Sequence, residues 1–131
     1  MRLLLDTHIA FWLTFDQKDL TPREFTLIRD PDTEIIISVV AVWELRLKWH
    51  SLHRSGDRKG PLDPMAAIDA FHRLKLPIIA LEPHVAATQL REPMAHKDPF
   101  DELLLVQAQV LDMKLLTRDG KLKHHPLAHF A

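Results

Sequence analysis

The chain has 131 residues, 47% hydrophobic and 27% charged, with 17 Lys+Arg against 18 Asp+Glu and a net charge of −1. That is the length and composition of one globular domain, 1–131, and it excludes disordered, collagen-like and coiled-coil chains. The lack of cysteine excludes a disulfide scaffold, a thiolate nucleophile and cysteine-ligated iron or zinc, and the balanced charge leaves any nucleic-acid binding to a local patch.

No apolar run approaches the roughly 18 residues of a membrane span. The N-terminus, Met1-Arg2-Leu3-Leu4-Leu5-Asp6, meets charge too early for a secretory signal. A cytoplasmic protein with no membrane partner is the expectation.

Leu3 to Leu5 reads as a buried strand that stops at Asp6-Thr7, followed by a short helix over His8 to Leu13. Thr21-Pro22-Arg23-Glu24 carries a helix start, with Thr21 as cap, Pro22 at the first position and Glu24 completing a capping box. This helix should run to Arg29, before Asp30-Pro31. Glu34 to Ser38 is a second strand, rich in isoleucine. Val40 to His50 follows as a helix, with Val39, Val42, Trp43, Leu45 and Leu47 as its apolar surface. Ser51 to Pro61 reads as a polar, basic loop.

Asp63-Pro64 opens a helix to about Lys75, and Pro77 to Leu81 is a short strand. Glu82-Pro83 starts a helix expected to reach Arg91, and a loop covers Glu92 to Lys97. Asp98 caps and Pro99 begins the clearest helix, to about Asp112. Lys114 to Thr117 is the last strand, and the His-rich segment from Lys121 to Ala131 reads as a flexible solvated tail. This alternation predicts an α/β fold, a three-layer sandwich with a mostly parallel central sheet flanked by helices, Rossmann-like. Sites in such sheets lie at the carboxyl ends of the strands.

Four carboxylates belong at that edge. Asp6 follows the first strand and Asp119 the last. Glu44 sits early in the helix after the second strand, and Asp101 in the first turn of the helix begun by Pro99. Each alone has an ordinary explanation: Asp6 and Asp98 as caps, Asp101 as a partner of the helix dipole, Glu44 as an ion pair with Lys48, Asp119-Gly120 as a turn. Together those explanations weaken, because Glu44 lies in Val39-Val40-Ala41-Val42-Trp43-Glu44-Leu45 and Asp101 precedes Leu103 to Val106, both apolar settings. Converging carboxylates repel, and a hard divalent cation, Mg²⁺ or Mn²⁺, relieves the conflict and suits phosphate chemistry.

At these residues the chain resembles PIN-domain nucleases, in particular the VapC-type toxins of bacterial toxin–antitoxin pairs. The matching pieces are Leu3 to His8 with Trp12, Ile37-Ser38 with Trp43-Glu44 and Lys48, His96-Lys97-Asp98-Pro99-Phe100-Asp101 with Leu104 and Gln107-Ala108, and Leu116-Thr117-Arg118-Asp119. The resemblance implies a Mg²⁺-dependent endoribonuclease, with Mn²⁺ able to substitute. It carries over Asp6, Glu44, Asp101 and Asp119 as the catalytic and metal-binding set, with Asp98 at the rim. It also implies a homodimer and a VapB-like antitoxin. Three departures stand out: Ala41 where many relatives have Ser, Glu102 where many have Arg, and the long Ser51–Pro61 connection.

Asp6 and Asp101 are the expected main ligands, with Asp119 a ligand or a holder of waters, and Glu44 a ligand or the residue that orients the attacking water. Thr7 and Thr117 stand beside the carboxylates, Thr7 chiefly as a helix cap. Candidate RNA contacts are Arg118, Lys48 and Arg46, then Arg54, Arg58, Lys59, Lys121 and Lys123, roughly half or more of which are expected to be plain solvated charges. His50 and His53 have metal-ligand spacing but no third ligand, and read as a surface pair. His96 reads as shaping the loop before Asp98, and His8 as lining the pocket or packing. Phe11, Trp12, Phe15 and Trp49 are core or partner-facing aromatics. The alternatives are a catalytically silent module that binds RNA or protein, a phosphatase, whose Asp-x-Asp motif is missing at Asp6-Thr7-His8, and a receiver domain, which would want paired acids after the first strand.

Overall fold

The computed structural model describes residues 1–51, 54–57 and 62–131. His53, Arg58 and Lys59, and with them the His50/His53 pair and much of the Ser51–Pro61 loop, lie outside the described residues.

Five strands form one sheet: β1 (Arg2–Leu5), β2 (Glu34–Ser38), β3 (Ile78–Ile79), β4 (Lys114–Leu116) and β5 (Ala128–His129). Their order is β3-β2-β1-β4-β5 and every pair is parallel. The chain moves outward from β1 through β2 to β3, then crosses to the other side of β1 for β4 and β5. The topological switch therefore lies between β1 and β4, where Leu5 pairs with Leu116, and a crevice is expected outside the carboxyl ends of those two strands.

The alternation of the strands divides the core in two. Leu3, Leu5, Ile35, Ile37 and Leu116 face one side. They pack there against α1 (Thr7–Phe15), α2 (Pro22–Arg29), α3 (Val39–His50) and α4 (Pro64–Arg73) through Ile9, Phe25, Leu45 and Phe71. Leu4, Ile36 and Leu115 face the other side, against α5 (Pro83–Ala86) and α6 (Pro99–Val110) through Val85, Leu104 and Leu105. This is the expected three-layer sandwich. Leu3, Leu4 and Leu5 are all fully buried, each contributing roughly 1.5–3 kcal/mol. A buried polar link ties the layers: the Ser38 hydroxyl caps α3 by accepting from Val40 N and donates to the Gln107 side chain, whose Nε2 donates to Ala80 O.

The caps form as the sequence predicts. Thr21 and Glu24 make the reciprocal capping box of α2, and Asp98 accepts from the amides of Phe100 and Asp101 to start α6. Two elements differ. The helix expected from Pro83 to Arg91 ends at Ala86, because the side-chain amide of Gln109 on α6 bonds to the carbonyl of Gln89 and to the amide of Arg91, drawing that backbone out of helix. The segment expected to be a flexible tail is ordered. It makes a 3₁₀ turn at Gly120–Leu122 that buries Leu122, then adds β5 beside β4, with Leu115 N donating to Leu127 O and Thr117 N to His129 O. His125 is fixed inside that segment, against the carbonyl of Glu92. Among the described residues no helix is long and apolar enough to cross a membrane.

Candidate active site

The switch point gathers the acidic residues. Asp6 directly follows β1, caps α1 through His8 N at 3.0 Å, and is 7% exposed. Thr117, directly after β4, donates its hydroxyl to Asp6 Oδ2 at 2.8 Å and accepts from the amide of Asp119 at 3.1 Å. One buried threonine thus joins the ends of the two central strands. Asp119 in turn accepts from Lys121 N, starting the 3₁₀ turn.

Asp101 comes from the first turn of α6 and is buried. His96, just before that helix, places Nε2 3.0 Å from Asp101 Oδ2, while its Nδ1 is buried with no hydrogen-bond partner among the described residues. Donor atoms of His96, Asp101 and Asp119 all lie within 4.8 Å of one another. His96 does more than shape the loop: it bonds Asp101, a contact made by the way the loop before α6 folds back. Glu44 and Asp6 lie outside that tight group. The Thr7 hydroxyl donates to Glu44 Oε1 at 3.0 Å and Lys48 pairs with Glu44 Oε2 at 2.8 Å, so Glu44 does make the i, i+4 ion pair. Asp6, not Thr7, is the cap of α1.

The electrostatics follow from this crowding. Burial pushes the Asp101 carboxyl up to about 6; the hydrogen bond from His96 opposes the shift, and the charges of Asp98, Asp6 and Asp119 add to it. Burial pushes Asp6 upward as well, but the hydrogen bonds from His8 and Thr117 outweigh it and hold the group below the usual carboxylate range. The hydrogen bond to Asp6 raises His8, against the effect of burial. A carboxyl pushed up first by burial and then by neighbouring charges, with nitrogen and oxygen donors within 4.8 Å of one another, is an arrangement a divalent cation would satisfy.

The basic candidates are placed differently from one another. Arg46 is exposed on α3, and Lys48 is tied to Glu44. Arg118 donates through Nε to Glu24 Oε1 at 2.9 Å and through Nη2 to Glu24 Oε2 and Asp19 O, and its guanidinium carbon lies 4.2 Å from the Trp12 ring centroid. Of the departures, Ala41 is packed into the core and Glu102 is exposed on the first turn of α6. Trp43 is 46% exposed and meets Phe100 edge-on.

Similarity to solved structures runs through the whole fold. The chain superposes on VapBC2 from Rickettsia felis, solved bound to a DNA fragment from their promoter, with a TM-score of 0.66 at 20% identity, covering 100% of this chain and 98% of that one. VapBC-1 from nontypeable Haemophilus influenzae gives a TM-score of 0.59 at 16% identity, over 100% and 97% of the two chains. No curated protein matches the chain in sequence. The PIN domain family model matches residues 3–126, from the first strand to the residues just before the last, and the chain belongs to the PIN domain family.

Proposed function

We propose that this protein is a divalent-metal-dependent endoribonuclease of the VapC type, the toxin of a toxin–antitoxin pair, with RNA as its substrate. The observation that carries the reading is the convergence of His96, Asp101 and Asp119 within 4.8 Å at the switch point, joined to Asp6 through Thr117. Asp101, Asp119 and Asp6 would hold the cation, with His96 adding a nitrogen donor; Mg²⁺ is the expected ion and Mn²⁺ a substitute. A bound cation there would lower the pKa of an attacking water and neutralise charge on the phosphate.

The chain's own groups do the rest. Glu44, fixed by Thr7 and Lys48, orients the water and takes its proton. The water oxygen bonds to phosphorus as the bond to the 3′ oxygen breaks, and that oxygen leaves with a proton from solvent. The products are a 5′-phosphate and a 3′-hydroxyl. Asp98 sets the first turn of α6 and so the position of Asp101, while Arg46 and Lys48 are the candidate phosphate contacts on α3. The two solved structures described above are of VapBC proteins, which supports a VapB-like antitoxin as partner; the working unit is a homodimer in the cytoplasm.

Cleavage of labelled total RNA by the purified chain, with Mg²⁺, Mn²⁺ or EDTA, tests the reading. Discrete cuts that need metal and disappear in Asp6→Asn are expected. A folded protein that binds Mn²⁺ and RNA yet cuts nothing would instead be a catalytically silent binding module.

A further inference from the structure

Asp6 and Asp119 also line a cavity with His8, Ile9, Trp12 and Arg118, with a volume of about 270 Å³. Its lining pairs two carboxylates with aromatic and apolar side chains.

Arg118 lines this cavity in a particular electrical state. Its charge is matched by Glu24, which is 4% exposed, and two of its three guanidinium nitrogens are spent on Glu24 and Asp19 O. A phosphate clamp needs the reverse, an uncompensated charge with its fork free for two oxygens. Glu24 holds the edge of the Arg118 guanidinium, whose carbon lies 4.2 Å over the Trp12 ring, so Arg118 acts in the cavity as a planar group stacked on Trp12. His8 adds an exposed ring 5.7 Å from Trp12 and tilted 33° to it.

We propose that this cavity is a nucleobase subsite: it takes one base of a single-stranded RNA, from the nucleotide next to the phosphate at the carboxylates. The proposal rests on the nuclease reading and gives that reading its hold on the strand. A nucleotide pairs a phosphate, which belongs beside the reacting centre, with a flat π face that suits the rings of Trp12 and His8. The volume falls below the roughly 300–1,000 Å³ of drug-sized pockets, so the cavity suits one ring system. Stacking carries no net charge, so it supplies affinity beside a cluster whose own carboxylates repel phosphate. Every base has a π face, so the subsite tolerates sequence.

The test uses the full chain with Asp101→Asn, which stops cutting, and with Trp43→Phe and Trp49→Phe, which leave Trp12 as the remaining one of the three tryptophans. The probes are a single-stranded RNA octamer and an abasic ribose-phosphate strand of equal length and charge. The RNA should quench Trp12 fluorescence and bind roughly 5–150-fold tighter than the abasic strand. That margin should survive added salt while the shared phosphate contribution falls. Trp12→Leu, with its fold checked by circular dichroism, should bring the margin close to one, read by anisotropy of a labelled strand. His8→Ala should reduce it, and the ring-preserving Trp12→Phe should keep part of it. Equal binding of the two strands overturns the proposal, as does a margin that persists without the ring at residue 12. Quenching by a partner protein and not by RNA also overturns it, reassigning the cavity to a protein side chain. Cleavage by the wild-type chain is measured in parallel. Cutting without a base margin sinks the subsite alone, whereas a base margin without cutting sinks the nuclease and leaves the subsite.

Discussion

Asp101 and Glu24 show opposite outcomes of burying a charge. Asp101 is buried among other carboxylates and its pKa is raised from 3.8 to about 6. The folded chain thus binds a proton there more tightly than the unfolded chain. Its stability falls as pH rises from about 4 through about 6 and is level above that. Asp101→Asn removes the penalty. Without metal, it should raise Tm at pH 7.5 by roughly 3–5 °C, for about 1 kcal/mol, and change it little at pH 4; calorimetry at both values checks this. The same variant should lose metal-dependent cleavage. Glu24, in contrast, is held below its ordinary value: burial raises it, but Arg118 and the amide of Thr21 outweigh that. Its stabilisation is present above pH 4.5 and is lost as pH falls through the depressed value. Arg118→Met leaves a buried carboxylate without its cation and should cost about 2–3 kcal/mol at pH 7. The deficit, read by urea unfolding, should shrink as pH drops below 4.5. The two residues also differ in how visible they were beforehand. Asp101 announced itself by spacing and setting, whereas the Glu24–Arg118 pair joins positions 94 apart, and Glu24 was already accounted for as half of a capping box.

Elements with strong local signals were legible in the sequence, and elements made by tertiary bonds were not. The leucine and isoleucine runs of β1 and β2 and the proline-started α2, α4 and α6 carry their own instructions. β5 is two residues long with no periodicity to detect, and it exists because β4 offers it free amides. Removing residues 127–131 should therefore bare Leu115 N and Thr117 N. Faster hydrogen exchange is expected at both amides, together with several-fold weaker Mn²⁺ binding, because Thr117 holds Asp6 and the amide of Asp119. Unchanged Mn²⁺ affinity in the shortened chain would show that Thr117 keeps its place without β5. The link between β2, β3 and α6 is a second product of tertiary context. Gln107→Leu strands the Ser38 hydroxyl and the Ala80 carbonyl and should cost about 1–3 kcal/mol. Adding Ser38→Ala should recover part of that loss, a coupling that a double-mutant cycle reads directly.

For the whole molecule, the fold class followed from strand–helix alternation, and the candidate site was placed by the rule that a parallel sheet with its switch at β1/β4 opens a crevice at the carboxyl edge of those strands. The composition of the site was less complete in the sequence. Four acids could be placed at the edge, but the donor from His96 depends on how the loop before α6 folds back, and a loop has no periodicity. Metal should act on the molecule as a ligand of the folded state alone. At a concentration 100 times its Kd, Mn²⁺ should stabilise the chain by about 2.7 kcal/mol, and EDTA should reverse the shift in Tm. The Asp101→Asn variant should show little response to either.

The crowding around Asp101 also bears on how long the protein lasts. On the proposed metal-dependent reading, loss of the cation leaves a buried, like-charged carboxylate uncompensated at neutral pH, and the opened form should be more populated. Degradation of a protein that opens and closes faster than it is cut follows that population. The metal-free chain should then be the shorter-lived one, and ion supply would set the standing amount of the protein as well as its activity.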